Sequence, residues 1–230
     1  MIFFYFGLDI FAIILPFLFS FHPRIRFSHF FGIFLISNLI ASTIFILWDS
    51  IFTRMGVWSF NPAYVSGLYL FNLPLEEVLF FICIPFSCVF TYFCIVRYGI
   101  YSVPKRADNL FSMVYCALLI ILGIYYHNRL YTLITFESTA IFYFYVKFIR
   151  QVEWTGHFLL SYVVLLGPFF LCNGLLTGTG LKEPVVLYNP SQMIGFRVLS
   201  IPVEDFIYGF ELQLLNVYLF EYFRRRVKSK

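Results

Sequence analysis

Two carboxylate pairs, each set just beyond a proline, stand at the start of apolar runs: Pro74-Leu75-Glu76-Glu77 and Pro202-Val203-Glu204-Asp205. They are displaced by 128 positions, and so are residues that precede them, Asn61/Asn189, Pro62/Pro190 and Gly67/Gly195. A proline suits the first position of a helix, where its missing N–H costs nothing and its ring pre-sets φ, so Pro74 and Pro202 are expected to open helices. Glu76 and Glu204 then fall in the first turn, where free amides and the positive dipole end favour a carboxylate. Glu77 and Asp205 project about 100° further round. In an apolar setting one member of such a pair can serve as the ion and its neighbour as the neutral acid. Ionisable groups are costly there and point to function. The chemistry suggested is proton delivery to an apolar molecule, with the resulting cation stabilised by carboxylate charge and aromatic faces.

The elements that must hold these acids are membrane helices. The chain of 230 residues is 61% hydrophobic and 12% charged, with a mean hydropathy of +0.84. A water-soluble surface needs far more charge than that. Runs of about 20 apolar residues match the hydrocarbon core and predict spans near 1–21, 29–48, 75–96, 110–126, 130–149, 158–176 and 203–223. The first run carries Asp9 and no small-residue cleavage site, so it reads as a retained span.

Adding 128 to the first three spans gives the last three and carries Asp9 onto Glu137 and His29 onto His157. The fourth span has no partner. Three crossings leave the chain on the opposite face, and one extra crossing restores the orientation. The expectation is an all-α membrane protein of seven transmembrane helices, built as two parallel three-helix repeats, 1–97 and 129–230, joined by a spacer helix within 98–128. Arg24, Arg26, Arg97, Lys105, Arg106, Lys147, Arg150 and the five basic residues of the tail 224–230 share one face, against Arg54, Arg129, Lys182 and Arg197 on the other. Positive charge marks the cytoplasmic side, which places the N-terminus outside and the C-terminus inside a bacterial plasma membrane. The tail reads as a headgroup anchor and not as a nucleic-acid site.

Asp9, Asp49, Glu76, Glu77, Glu137, Glu204 and Asp205 are then gathered in the outer half of the bundle. Asp9 and Glu137 lie roughly 10 Å deep, from the helical rise, and Asp49 ends the second span. Trp48 and Trp58 suit an interfacial belt or the lid of a pocket. Glu211 continues the Glu204 face towards the bilayer centre, whereas Glu221 pairs with the basic tail. His29 and His157 read as interfacial anchors with no metal spacing. Cys83, Cys88, Cys94, Cys116 and Cys172 lie in spans with no C-x-x-C and read as packing residues. Gly178-Thr179-Gly180 lacks a third glycine and a βαβ setting, so no dinucleotide site is expected.

At these motifs the chain resembles the lycopene cyclase domain family of integral-membrane carotenoid cyclases. The resemblance runs through Trp48-Asp49, Gly56-Val57-Trp58-x-Phe60-Asn61 and Leu73 to Phe81 in the first repeat. In the second it runs through Asn173-Gly174, Ile201-Pro202-Val203-Glu204-Asp205-Phe206-x-Tyr208-Gly209-Phe210 and Glu221. It implies a lycopene β-cyclase, an intramolecular lyase or isomerase that closes the ends of lycopene without cofactor or metal. Glu76, Glu77, Glu204 and Asp205 are then catalytic, supported by Asp9, Asp49 and Glu137. Trp48, Trp58, Asn61, Pro74, Asn189, Pro202, Tyr208 and Glu211 are the pocket or motif residues. Glu76→Gln or Glu204→Gln is expected to abolish or severely cut cyclisation while the protein still inserts. Phe93 stands where the family pattern and the repeat partner Glu221 call for an acid, so the two repeats need not be equivalent. The partners implied are lycopene, other acyclic carotenoids and the bilayer, with self-association left open. Two readings of other classes remain: a small-solute transporter of three-one-three architecture, or a carotenoid- or lipid-binding membrane protein without activity.

Overall fold

The computed structural model describes residues 3–228, with seven α-helices among them. Met1 of the expected first span and Lys230 of the basic tail lie outside the described residues, as does the side chain of Lys228. The helices are α1 (Phe4–Phe19), α2 (Phe31–Arg54), α3 (Leu75–Arg97), α4 (Lys105–Tyr125), α5 (Leu130–Phe144), α6 (Thr155–Leu176) and α7 (Val203–Lys228). A 3-10 turn (Phe27–Phe30) leads into α2, and a π-helical turn (Tyr145–Ile149) continues α5. Five of these helical segments are long and apolar enough to cross a membrane, those of α2 to α6. Helix α1 is apolar over 16 residues, and α7 carries Glu204, Asp205, Glu211 and Glu221 along its 26.

Helix α1 packs along α3, and α5 along α7, while α2 crosses to α7 and α6 to α3. Shifting by 128 residues exchanges the members of each pair of contacts. The connecting segments repeat the relation at atomic detail. Strand β1 (Trp58–Phe60) pairs antiparallel with β4 (Val186–Tyr188), Trp58 opposite Tyr188 and Phe60 opposite Val186. Asn61 N–H donates to Val185 O at 2.8 Å, and Asn189 N–H to Val57 O at 2.8 Å. The two motif loops are therefore knitted together at one end of the bundle.

A tight hairpin precedes each acid pair: β2 (Tyr69–Leu70) with β3 (Leu73–Pro74), and β5 (Arg197–Val198) with β6 (Ile201–Pro202). The first turn residue of each, Phe71 or Leu199, has a positive φ, near 56° and 59°. Pro74 lies one residue before α3, with φ −57° and ψ 146°, and so caps the helix instead of opening it. Pro202 likewise ends β6, and α7 begins at Val203. The ring still fixes the approach to the helix, and both acids keep their place in the first turn.

Helix α4 is docked by polar bonds within the bundle. Asp108 on α4 forms a buried ion pair with Lys147 of the π-helical turn, and Thr155 of α6 donates to the same carboxylate at 2.6 Å. Ser112 and Tyr143 share a hydrogen bond of 2.8 Å one turn further on. Lys147 is therefore a buried partner and not a free surface anchor. Breaking a buried pair leaves an uncompensated charge, so Asp108→Ala is expected to cost about 3–5 kcal/mol. Thermal unfolding in detergent checks this, and an unchanged melting curve would show that the pair contributes nothing.

Candidate functional site

The first acid of each pair faces its own loop. Glu76 Oε1 accepts from Ser66 N–H at 2.6 Å, and Glu204 Oε1 accepts from Ile194 N–H at 2.7 Å. Ser66 and Ile194 are themselves 128 positions apart. Thr132 of α5 adds a second donor to Glu204 at 2.6 Å. Asn61 and Asn189 build the preceding turn, each side chain accepting from the backbone two residues on. In both copies, then, the conserved spacing of Asn, Gly and the first acid folds the loop back on the helix start. Glu76 and Glu204 are almost wholly buried, and each keeps one oxygen without a hydrogen-bond partner among the described residues.

The second acid of each pair faces a cavity. Glu77 and Asp205, from the two halves of the chain, line one chamber of about 350 Å³ together with Asp49 of α2. Asp205 accepts three hydrogen bonds, from Tyr131 at 2.7 Å, Asn173 at 2.8 Å and Tyr188 at 2.9 Å. Glu77 accepts one, from Tyr5 at 2.6 Å, on Oε2. Its Oε1 has no hydrogen-bond partner among the described residues. Tyr188 lies in β4, and burial, then the neighbouring Asp205 charge, push its hydroxyl well above the usual tyrosine range, so it stays a donor. Trp58 and Tyr208 face the same space, with Trp48 behind Tyr208 at 5.2 Å between ring centroids. Below this polar end the walls are apolar, from Phe11, Ile84, Leu166 and Phe169 among others. Such a chamber suits a hydrocarbon whose reactive end meets three carboxylates and several aromatic faces.

The other expected site residues fall into two groups. Asp9 is buried within electrostatic reach of Glu77 and Glu76, with one oxygen lacking a hydrogen-bond partner among the described residues, but it does not line the chamber. Asp49 is a buried residue within α2, which continues to Arg54, so it looks inward and does not end the helix. Glu211 is held between α5 and α7 by Ser138 at 2.7 Å and Thr139 at 2.9 Å. Glu137 is not brought to the acid cluster. Its carboxylate lies over Gly123 of α4, where an added Cβ would come within 2.5 Å of it. Glu221 sits at the opposite end, bonded by Tyr92 and Arg224. Phe93 packs there with Phe27, Phe30 and Phe220. Sequence reasoning passed over Tyr5, Tyr131 and Tyr188. The signal for Tyr5 and Tyr131 was a position close to the start of an apolar run, whereas Tyr188 lies in the loop strand β4.

The chain is thus a helical bundle with membrane-length apolar helices around an apolar chamber that carries carboxylates at one end. A lycopene cyclase family model matches residues 3–95 and 128–223, and the chain belongs to that family. The unmatched stretch contains α4. The chain is similar to a bifunctional lycopene cyclase/phytoene synthase of Pyrenophora tritici-repentis, 39% identical over 64 residues. That alignment covers 28% of this chain and 11% of the fungal protein, so the chain spans a small part of the relative's length. No solved structure matches.

Proposed function

We propose that this protein is a lycopene β-cyclase that closes the ends of lycopene to give γ-carotene and then β-carotene. One observation carries the reading: the second acids of the two motif copies, Glu77 and Asp205, meet at the polar end of a single apolar chamber. Glu77, with an oxygen free of protein partners, delivers a proton to C2 of the terminal isoprene unit. The C1 cation is attacked by the C5=C6 electrons, the C1–C6 bond forms, and the charge moves to C5. Loss of the C6 proton to a carboxylate restores the double bond, so substrate and product are isomers and no electrons are gained or lost. Asp205 and Asp49, with the faces of Trp58 and Tyr208, stabilise the passing charge. Glu76 and Glu204 hold the loops that close the chamber, and Asp9 supports them from α1.

The same reading takes all seven helices as spans, in two parallel triplets joined by α4. The exchange of contacts under a 128-residue shift and the pairing of β1 with β4 support it. Basic side chains at the end opposite the motif loops favour an outward N-terminus and a cytoplasmic C-terminus in a bacterial plasma membrane. The expected result is that expression in a lycopene-accumulating host converts the pigment to cyclic carotenoids. Purified protein in liposomes should do so in buffer alone, without flavin or nicotinamide. Unchanged lycopene in both settings would dismiss the cyclase reading, and a strict need for reduced flavin would dismiss the non-redox mechanism.

A further inference from the structure

The two halves are alike in contacts but unlike in packing, and the difference falls on the chamber. Its apolar limb runs between α1, α3 and α6 as far as Thr91, about 21 Å along α3 from Glu77. Each of these three helices has a proline inside it, Pro16, Pro85 and Pro168, and all three line the limb. Their equivalents 128 positions away are Phe144, Gln213 and Ile40. An internal proline removes a backbone hydrogen bond and bends its helix, a direct way to part neighbouring helices.

Side-chain volume follows the same division. Leu15, Cys88 and Gly209 line the limb, whereas their larger equivalents Tyr143, Asn216 and Phe81 are buried. Asn38 donates to Asn216 at 3.1 Å, closing that side with a polar bond. Gly209 is the sharpest contrast. It leaves its space to the Phe169 ring, 3.5 Å from where a Cβ would stand, while Phe81 fills the matching volume in the other half. The limb also has a side mouth. Phe11, Leu15 and Leu171 line it yet are 55%, 59% and 50% exposed, on the lipid-facing flanks of α1 and α6.

We propose that the three prolines and Gly209 shape a lateral channel between α1 and α6 through which an acyclic polyene enters from the lipid, end first. The proposal rests on the cyclase reading for the identity of the polyene. The occupant is a linear hydrocarbon, because the limb offers Pro16, Pro85, Leu166 and Phe169 as walls and keeps its carboxylates at one end. The mouth opens on the bilayer's hydrocarbon, so a long chain threads one end to Glu77 while its remainder stays in lipid. Gly209 sets the width, and a side chain there excludes the polyene without touching any acid.

The test uses the full-length protein in liposomes with Trp154→Phe, which keeps Trp58 in the chamber wall as the reporter beside Trp48 behind Tyr208. Added lycopene should quench Trp58 saturably and be cyclised. Gly209→Phe should weaken quenching and slow cyclisation by at least about tenfold, an effect of the size expected for blocking a pocket. Ile141→Phe, on a 66% exposed face of α5, should change neither. Should Gly209→Phe fail to fold, Leu15→Phe with Leu171→Phe narrows the mouth from exposed positions and should weaken both signals alike. Wild-type quenching and conversion in a folded Gly209→Phe protein, or in the mouth variant, would overturn the channel. Saturable, Gly209-dependent quenching without ring formation would leave the channel standing and remove the cyclase reading.

Discussion

Glu77→Gln is expected to lower the rate of ring formation by about 10²–10⁴-fold, the usual weight of a positioned acid, with the fold intact. The amide keeps the size of the side chain and can still accept from Tyr5, but it has no proton to give. Asp205→Asn should cost a comparable factor. It removes the charge facing the cation and leaves the amide to donate into a ring of groups, Tyr131, Asn173 and Tyr188, that already donate. Glu76→Gln and Glu204→Gln should each lose at least tenfold less activity, an estimate drawn from the same range. In both the retained carbonyl oxygen can still hold the loop amide of Ser66 or Ile194. Initial rates of cyclic product from reconstituted protein, beside melting curves for each variant, decide the matter. Inactive but folded Glu76→Gln and Glu204→Gln proteins next to an active Glu77→Gln would reverse the assignment of the pairs.

Much of this arrangement could be read from the sequence because it was written twice. The 128-residue register locates Pro74 and Pro202 before their helices and brings Asn61 and Asn189 into identical turns, since local backbone chemistry depends on neighbours alone. Register does not report what a helix face meets. Asp9 and Glu137 are equivalent in sequence, yet α4 packs against α5 and has no counterpart beside α1, so Glu137 finds Gly123 where Asp9 finds Glu76 and Glu77. The tyrosines that orient Glu77 and Asp205 were hidden among 17 residues of that type. Their partners lie 74, 72 and 17 positions away, and no spacing rule selects them. Lys147 reads as one of the face-marking charges because a sequence shows only its place near a helix end. The π-helical turn that carries it inward towards Asp108 leaves no mark in an apolar pattern.

The spacer helix gives the second large effect. With two parallel triplets as proposed, deleting 110–126 would invert one relative to the other and is expected to abolish activity, since the acids of the two motifs would then stand at opposite ends of the bundle. Cutting the chain instead lets each triplet choose its own orientation. Residues 1–97 co-expressed with 98–230 should recover activity within about tenfold of the intact chain, because the contacts of α1 with α3 and of α5 with α7 lie within the fragments, and such local changes are usually modest. Residues 1–97 with 129–230 should recover far less. That second fragment has lost Asp108, so Lys147 remains buried without its charge partner, and the carboxylate of Glu137 loses the cover of α4. Lys147→Met in the 129–230 fragment removes the stranded charge at similar volume and should restore part of the activity, as hydrophobic replacement of buried ions often does. Pigment analysis of the three pairs, with a C-terminal reporter to fix sidedness, provides the measurement. An active 110–126 deletion, or a C-terminus found outside the cell, would end the parallel-triplet reading. Equal recovery from 98–230 and 129–230 would show that α4 serves orientation alone.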